Sequence, residues 1–261
     1  MIKIPETVPP LPRAVDLNRH LQPAAAFEWL SAGWRDFKTG SAISLAYGIG
    51  VFLISLAVVY GLFAMGWDYI LLPALAGFMV VGPLLAVGLY EKSRRLAHEG
   101  SGRPRDTLAS EARSGGQILF IGVILSLLML TWMRAAVIVY ALFFGLRPFP
   151  GLDHIAAMLF TTPIGLSMLV VGSAIGGLFA AFSFAISVFS IPMLLDKRVD
   201  AFTAMGTSMA LVWNNLPVML TWGAIVLGLF LLCLVTGLLG LIVVFPVLGH
   251  ATWHAYRAIA Q

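Results

Sequence analysis

Leu216–Gly249 reads LPVMLTWGAIVLGLFLLCLVTGLLGLIVVFPVLG, 34 residues without a charge. A helix needs about 20 apolar residues to cross a bilayer, so this run is too long for one upright span. Thr236-Gly237-Leu238-Leu239-Gly240 sits near its middle and supplies turn residues. The run is therefore expected to form a transmembrane hairpin turning near Gly237 to Gly240. This reading makes the chain all-α and polytopic, closed by two antiparallel spans.

Composition agrees. Hydrophobic residues make up 60% of the 261-residue chain and charged residues 11%, against roughly 25% charged in a soluble domain. A soluble protein of this size needs more polar surface to cover its core. A soluble globular protein, a disordered chain and a nucleic-acid binder are thereby excluded. The net charge of +4 belongs more simply to loops facing an anionic leaflet. Cys233 is the single cysteine, so no intrachain disulfide or Cys-based metal site can form.

Working toward the N-terminus, Ala42 to Met65 is an uncharged span and Gly66-Trp67-Asp68 a short turn. Tyr69 to Tyr90 is the second span, and the charged stretch Glu91 to Ser114 reads as a loop. Gly116 to Phe144 is a third span, interrupted by Arg134. Ile155 to Leu195 lacks charge for 41 residues; it is read as one crossing, with Ile155 to Thr162 at the interface. The result is six transmembrane helices arranged as three hairpins. Interfacial amphipathic helices precede spans one and five, carrying the stripes Phe27, Leu30, Trp34, Phe37 and Phe202, Met205, Met209, Val212.

In that arrangement 14 of the 16 Lys and Arg residues face one side, Arg147 alone faces the other, and Arg134 lies within a span. This bias places both termini in the cytoplasm. Residues 1–23 are polar and Pro-rich and read as a flexible cytoplasmic tail, and residues 24–260 as a single six-span domain. Residues 26–92 and 201–257 are candidates for an internal repeat: an interfacial helix, then a hairpin whose second arm holds Pro83 or Pro246.

Few residues offer chemistry. A charge at Arg134 is expensive in lipid unless paired, hydrated or snorkelling. Asp68 and Asp153 are its candidate partners. It reads either as a structural or partner-subunit contact or as a contact in a substrate path. Gly172, Gly176 and Gly177 form a small-residue surface for helix packing, within the chain or with another copy or partner. His250 and His254 sit at i and i+4 in HATWH, a spacing that metal or haem ligation would use. No third ligand accompanies them, and hydrogen bonding is the stronger reading. No acidic residue lies at a midplane, which argues against a proton- or sodium-coupled carrier. No Walker motif, kinase signature, nucleophile elbow or dinucleotide fingerprint is present.

Several stretches carry a resemblance. LAYGIG at Leu45–Gly50, LAGFMVVGPLLAVGLYEKSRRL at Leu75–Leu96, FSFAISVFSIPMLLDKRVDAFTAMGTSMALVWNN at Phe182–Asn215 and VVFPVLGHATWHAYRAI at Val243–Ile259 resemble a family of bacterial integral membrane proteins of unknown function. Some of its members are labelled cytochrome c oxidase subunits. The resemblance implies a bacterial inner-membrane setting and carries over no catalytic residue. The chain also lacks the midplane histidines of a haem–copper core. The expected function is a non-catalytic accessory or assembly subunit, with no cofactor of its own. Its partners would be the lipid bilayer and a membrane complex or a second copy. The alternative is a small transporter or channel with Arg134 in its pathway.

Overall fold

In lipid the backbone has no water to bond, so its hydrogen bonds must close within the chain, as helices allow. The computed structural model describes residues 16–99, 115–145 and 149–260. Among them the chain forms α1 (Ala25–Lys38), α2 (Ser41–Ala64), α3 (Leu71–Leu85), α4 (Val87–Glu99), α5 (Gly115–Phe144), α6 (Leu152–Thr161), α7 (Pro163–Ser187), α8 (Ser190–Asp196), α9 (Ala201–Asn214), α10 (Leu216–Val235) and α11 (Leu241–Ala260).

Five helical segments are long and apolar enough to cross a membrane: Ser41–Ala64, Asp68–Ala97, Gly115–Phe144, Pro163–Asp196 and Leu216–Val235. α11 has 20 residues, but His250, His254 and Arg257 dilute the apolarity of its second half. The uncharged run around Ile155–Leu195 holds one such segment, preceded by the separate helix α6. Thr162 separates the two and caps α7, its hydroxyl accepting from Gly165 N–H at 3.0 Å.

The 34-residue run does break where glycine allows it. Gly237 has φ +60°. Leu238 N–H reaches Cys233 O at 2.7 Å and Gly237 N–H reaches Leu234 O at 3.0 Å, the paired bonds of a Schellman motif. α2 ends identically: Trp67 N–H bonds Leu62 O at 2.8 Å, and Gly66 N–H bonds Phe63 O at 3.1 Å.

One expectation is corrected. The charged stretch from Glu91 does not begin a loop, because α4 continues to Glu99. Glu91 is fully buried and takes a bidentate contact from Arg94 at 2.7 and 2.8 Å, with Arg95 adding another at 2.6 Å. These pairs sit at i+3 and i+4, where side chains on one helix meet.

Two interrupted helices are repaired by hydroxyl groups from neighbours. Between α3 and α4, Leu89 N–H bonds Ala86 O, and Tyr47 of α2 donates to Leu85 O at 2.6 Å. Between α7 and α8, Ser208 of α9 accepts from Phe189 N–H at 3.2 Å and donates to Ala185 O at 2.7 Å. Pro83 and Pro192 lie within these regions and explain the breaks.

α11 is the centre of packing. It lies against α1, α2 and α4, and its backbone touches theirs closely. A Cβ on Gly48 of α2 would stand 2.1 Å from Ile242 O, and one on Gly33 of α1 would stand 2.6 Å from Val247 O. The face of α1 turned inward is Ala26, Trp29, Gly33 and Phe37, while Phe27 and Trp34 are exposed. α9 behaves likewise: Ala204, Met205 and Ser208 are buried, and Phe202 and Met209 are exposed.

One pole of the bundle gathers many chain ends. Residues 16–23 belong to it: Asn215 Nδ2 donates to Leu17 O at 2.8 Å, and Arg19 Nε donates to Ile259 O at 3.0 Å. Tyr256 of α11 donates to Asp196 of α8 at 3.0 Å. Residues 1–15 of the expected tail lie outside the described residues.

Candidate functional site

The same pole contains a continuous chain of buried polar side chains. Lys92 of α4 is 1% exposed, yet its ammonium group is fully occupied. It donates to Asp36 O at 3.2 Å, Gly40 O at 3.2 Å and Ser44 Oγ at 2.8 Å. Three donors thus meet three acceptors. The two carbonyls belong to the C-terminal end of α1 and the residues just after it, where a cation is favoured.

From Ser44 the chain runs onward. Ser44 Oγ lies 3.0 Å from His250 Nε2, and His250 Nδ1 lies 2.8 Å from Ser93 Oγ. Ser93 donates to Asp36 Oδ2 at 2.6 Å, and His254 Nε2 reaches the same oxygen at 2.9 Å. The carboxylate only accepts, which fixes the direction of every link. Ser93 donates to Asp36, His250 Nδ1–H donates to Ser93, and His250 Nε2 accepts from Ser44. Every polar atom in the line is then satisfied with a neutral His250.

Asp36 anchors the line. Burial alone would raise its carboxyl. Hydrogen bonds from His254 and Ser93, with the nearby histidines, outweigh burial and hold it below the usual carboxylate range.

This geometry limits the chemistry. Ser44 and His250 have the contact of a nucleophile and its base, but both are fully buried. Ser93 interposes its hydroxyl between His250 and Asp36, and its own proton points to the carboxylate rather than to a base. Both nitrogens of His250 are used in hydrogen bonds, leaving no lone pair for a metal. Among the described residues no three His, Cys, Asp or Glu side chains form a metal-binding group. The arrangement clamps α1, α2, α4 and α11 together.

The other half differs. A cavity of about 790 Å³ lies between α3, α5, α6 and α7. Gly172, Gly176 and Gly177 are in its wall, along with Trp132 of α5. No charged residue lines it. Gly176 packs hardest, since a Cβ there would come within 2.8 Å of the Trp132 ring; Gly172 has only Val139 nearby, and Gly177 faces open space. The Trp132 indole donates to Pro73 O at 2.9 Å, joining α5 to α3.

Arg134 is exposed on α5 and does not line the cavity. It sits among the exposed apolar residues Leu127, Leu130, Ile138 and Leu142. Asp68 is half-buried in a turn before α3. Neither Arg134 nor Asp68 enters an ion pair among the described residues. The Asp153 side chain lies outside the described residues.

Of the residues singled out in the sequence, His250 and His254 fall in the buried line. Asp36, Ser44, Lys92 and Ser93 were not singled out. The one usable signal was YEKSRR at Tyr90–Arg95, where charges follow an apolar span without a breaker.

The fold and the polar clamp define an all-helical, multipass integral membrane protein. Residues 71–196 match the model of a family described as "Predicted integral membrane protein (DUF2189)", whose function is unknown. Lys92 and Ser93 lie inside the matched stretch, while Asp36, Ser44, His250 and His254 lie outside it. No curated protein and no solved structure matches the chain.

Proposed function

We propose that this protein is a non-catalytic accessory or assembly subunit of a membrane complex, seated in a bacterial inner membrane by six spans with both termini cytoplasmic. Arg134 carries the reading. It lies on an exposed apolar stripe of α5, about 15 Å along the helix axis from Phe144. A charge facing lipid is costly by a few kcal/mol, and an acidic group on a partner helix would remove that penalty. The six-span arrangement is supported by the pole that gathers the ends of α1, α4, α8 and α11. It is supported also by the turns at Gly66 and Gly237, which return the chain toward that pole.

Residues 26–92 and 201–257 are read as an internal repeat. Support comes from the equal 14-residue lengths of α1 and α9, the matching Schellman turns after α2 and α10, and the prolines inside α3 and α11.

The test is a mild-detergent pulldown of tagged protein from its native membrane, with mass spectrometry and an optical spectrum of the eluate. A respiratory oxidase is the first complex to look for. The expected result is a stoichiometric partner, lost in Arg134→Ala and retained in Arg134→Lys. Wild-type protein that co-purifies with nothing would overturn the reading. A second reading, a small transporter or channel, draws on the 790 Å³ cavity. Its uncharged wall and the position of Arg134 outside it favour the subunit. Solute flux in liposomes that falls in Arg134→Ala would put transport first.

A further inference from the structure

A second, smaller chamber lies deeper in the bundle, between α3, α4, α7, α10 and α11. Its volume is about 120 Å³, near the roughly 150 Å³ that accommodates a benzene ring in an engineered apolar cavity. Phe78, Val226, Phe230 and Phe245 make much of its wall, so water has few partners there.

Two polar groups break the apolar lining. Trp222 is fully buried, and its indole N–H has no hydrogen-bond partner among the described residues. Tyr90 is 2% exposed and lines the same chamber. None of the hydrogen bonds among the described residues uses its hydroxyl, whereas Tyr47 nearby is committed to Leu85 O. Buried indole N–H and phenol groups ordinarily find partners, and an unmet donor costs about 1–3 kcal/mol. A carbonyl oxygen in the chamber would meet that need. Trp253, the other buried indole without a partner, is fully buried away from this chamber and serves as an internal control.

The chamber adjoins the 790 Å³ cavity, with Met79 and Ala180 lining both. A flexible thioether and a methyl group form the boundary. We propose that the protein binds one lipid-soluble molecule, placing a carbonyl-bearing group in the inner chamber and an apolar tail in the outer cavity. Trp222 and Tyr90 donate to the carbonyl. The shared chemistry is a carbonyl acceptor on a long apolar chain, as in a tailed quinone or the ester of a phospholipid. This assignment is independent of the subunit reading, since it uses neither Arg134 nor a partner.

The test uses full-length, delipidated protein in detergent. Three probes are added separately: a decyl-tailed benzoquinone, dioleoyl phosphatidylethanolamine, and dodecane as a carbonyl-free control. Unfolding temperature is read against probe concentration. One or both carbonyl probes should raise it saturably in wild type and in Trp253→Phe. Apparent affinity should fall at least tenfold in Trp222→Phe and in Tyr90→Phe. A response to the quinone alone assigns a ring, and to the phospholipid alone an ester. Equal stabilisation by dodecane, equal affinity in both chamber variants, or no response to either carbonyl probe overturns the proposal. Should Trp222→Phe fail to fold, Tyr90→Phe against Trp253→Phe still decides it.

Discussion

The pole built from α1, α4, α8, α9 and α11 and the half built from α5, α6 and α7 solve the same problem in opposite ways. At the pole, backbones touch at Gly33 and Gly48, and buried polar groups form one satisfied line from Lys92 to His254. In the other half, an uncharged cavity separates helices, and large apolar residues such as Leu130, Leu142 and Val170 face outward. Lipid is as apolar as leucine, so burying leucine does not draw helices together there. Close backbone approach and hydrogen bonds must do so. The pole has both, and the other half has few of either.

The sharpest way to break this comparison is to put the same side chain into each half. Gly48→Leu places Cβ 2.1 Å from Ile242 O, a backbone atom that cannot move aside alone. Loss of monodisperse protein on fluorescence-detected gel filtration is expected. Gly177→Leu enters open space and should leave folding within about 0.5 kcal/mol of wild type. Equal damage from both would erase the distinction between a packed pole and an open half.

A smaller effect is expected from Lys92→Met. The side chain keeps its bulk, but Asp36 O, Gly40 O and Ser44 lose their shared donor. Destabilisation of about 2–3 kcal/mol follows if each lost bond contributes about 1. Thermal unfolding in detergent measures it. Glu91 should keep its arginine contacts, so helicity by circular dichroism should not fall.

Acid tests the anchor of the clamp. The folded Asp36 carboxyl lies below its ordinary value, so its stabilisation is fully present above the unfolded value, near pH 4. It is lost as pH falls through the lower folded value. Unfolding temperature should drop on acidification below about pH 4, and Asp36→Asn should remove part of that drop. An unchanged acid profile in the variant would mean that Asp36 does not anchor the line.

The smallest effect sharpens the view of helix repair. Ser208→Ala deletes the hydroxyl that bridges Phe189 N–H and Ala185 O. Hydrogen bonds in membrane proteins average about 0.6 kcal/mol, so a loss near that size is expected in unfolding, with faster amide exchange at Phe189.

Much of this fold is legible in the residues, and the reasons differ by element. The turn at Gly237 was readable because 34 uncharged residues exceed one crossing and glycine marks the bend. The separate α6 was readable because a 41-residue uncharged run is too long for one upright helix. The extension of α4 past Glu91 was not, because charges after an apolar span look like a loop until their i+3 and i+4 pairing is drawn. The packed faces of α1 and α9 were hidden for another reason. Their bulky stripes drew the eye, yet Phe27, Trp34, Phe202 and Met209 are exposed while the small residues pack. In lipid, size near the surface is no guide to burial. The polar line joins residues as far apart as Ser44 and His250, and no local pattern announces such a pairing.

α11 gives the molecule a timetable. The helices that lean on it most, α1 and α2, leave the ribosome first, and α11 follows after every other described helix has been made. Until it arrives, the exposed backbone of Gly48 and the hydroxyls of Ser44 and Ser93 have no His250 or Ile242 to meet. The nascent chain must therefore hold its earliest helices open in or beside the translocon, and a chain halted before Leu241 should present quality-control proteases with an unfinished pole.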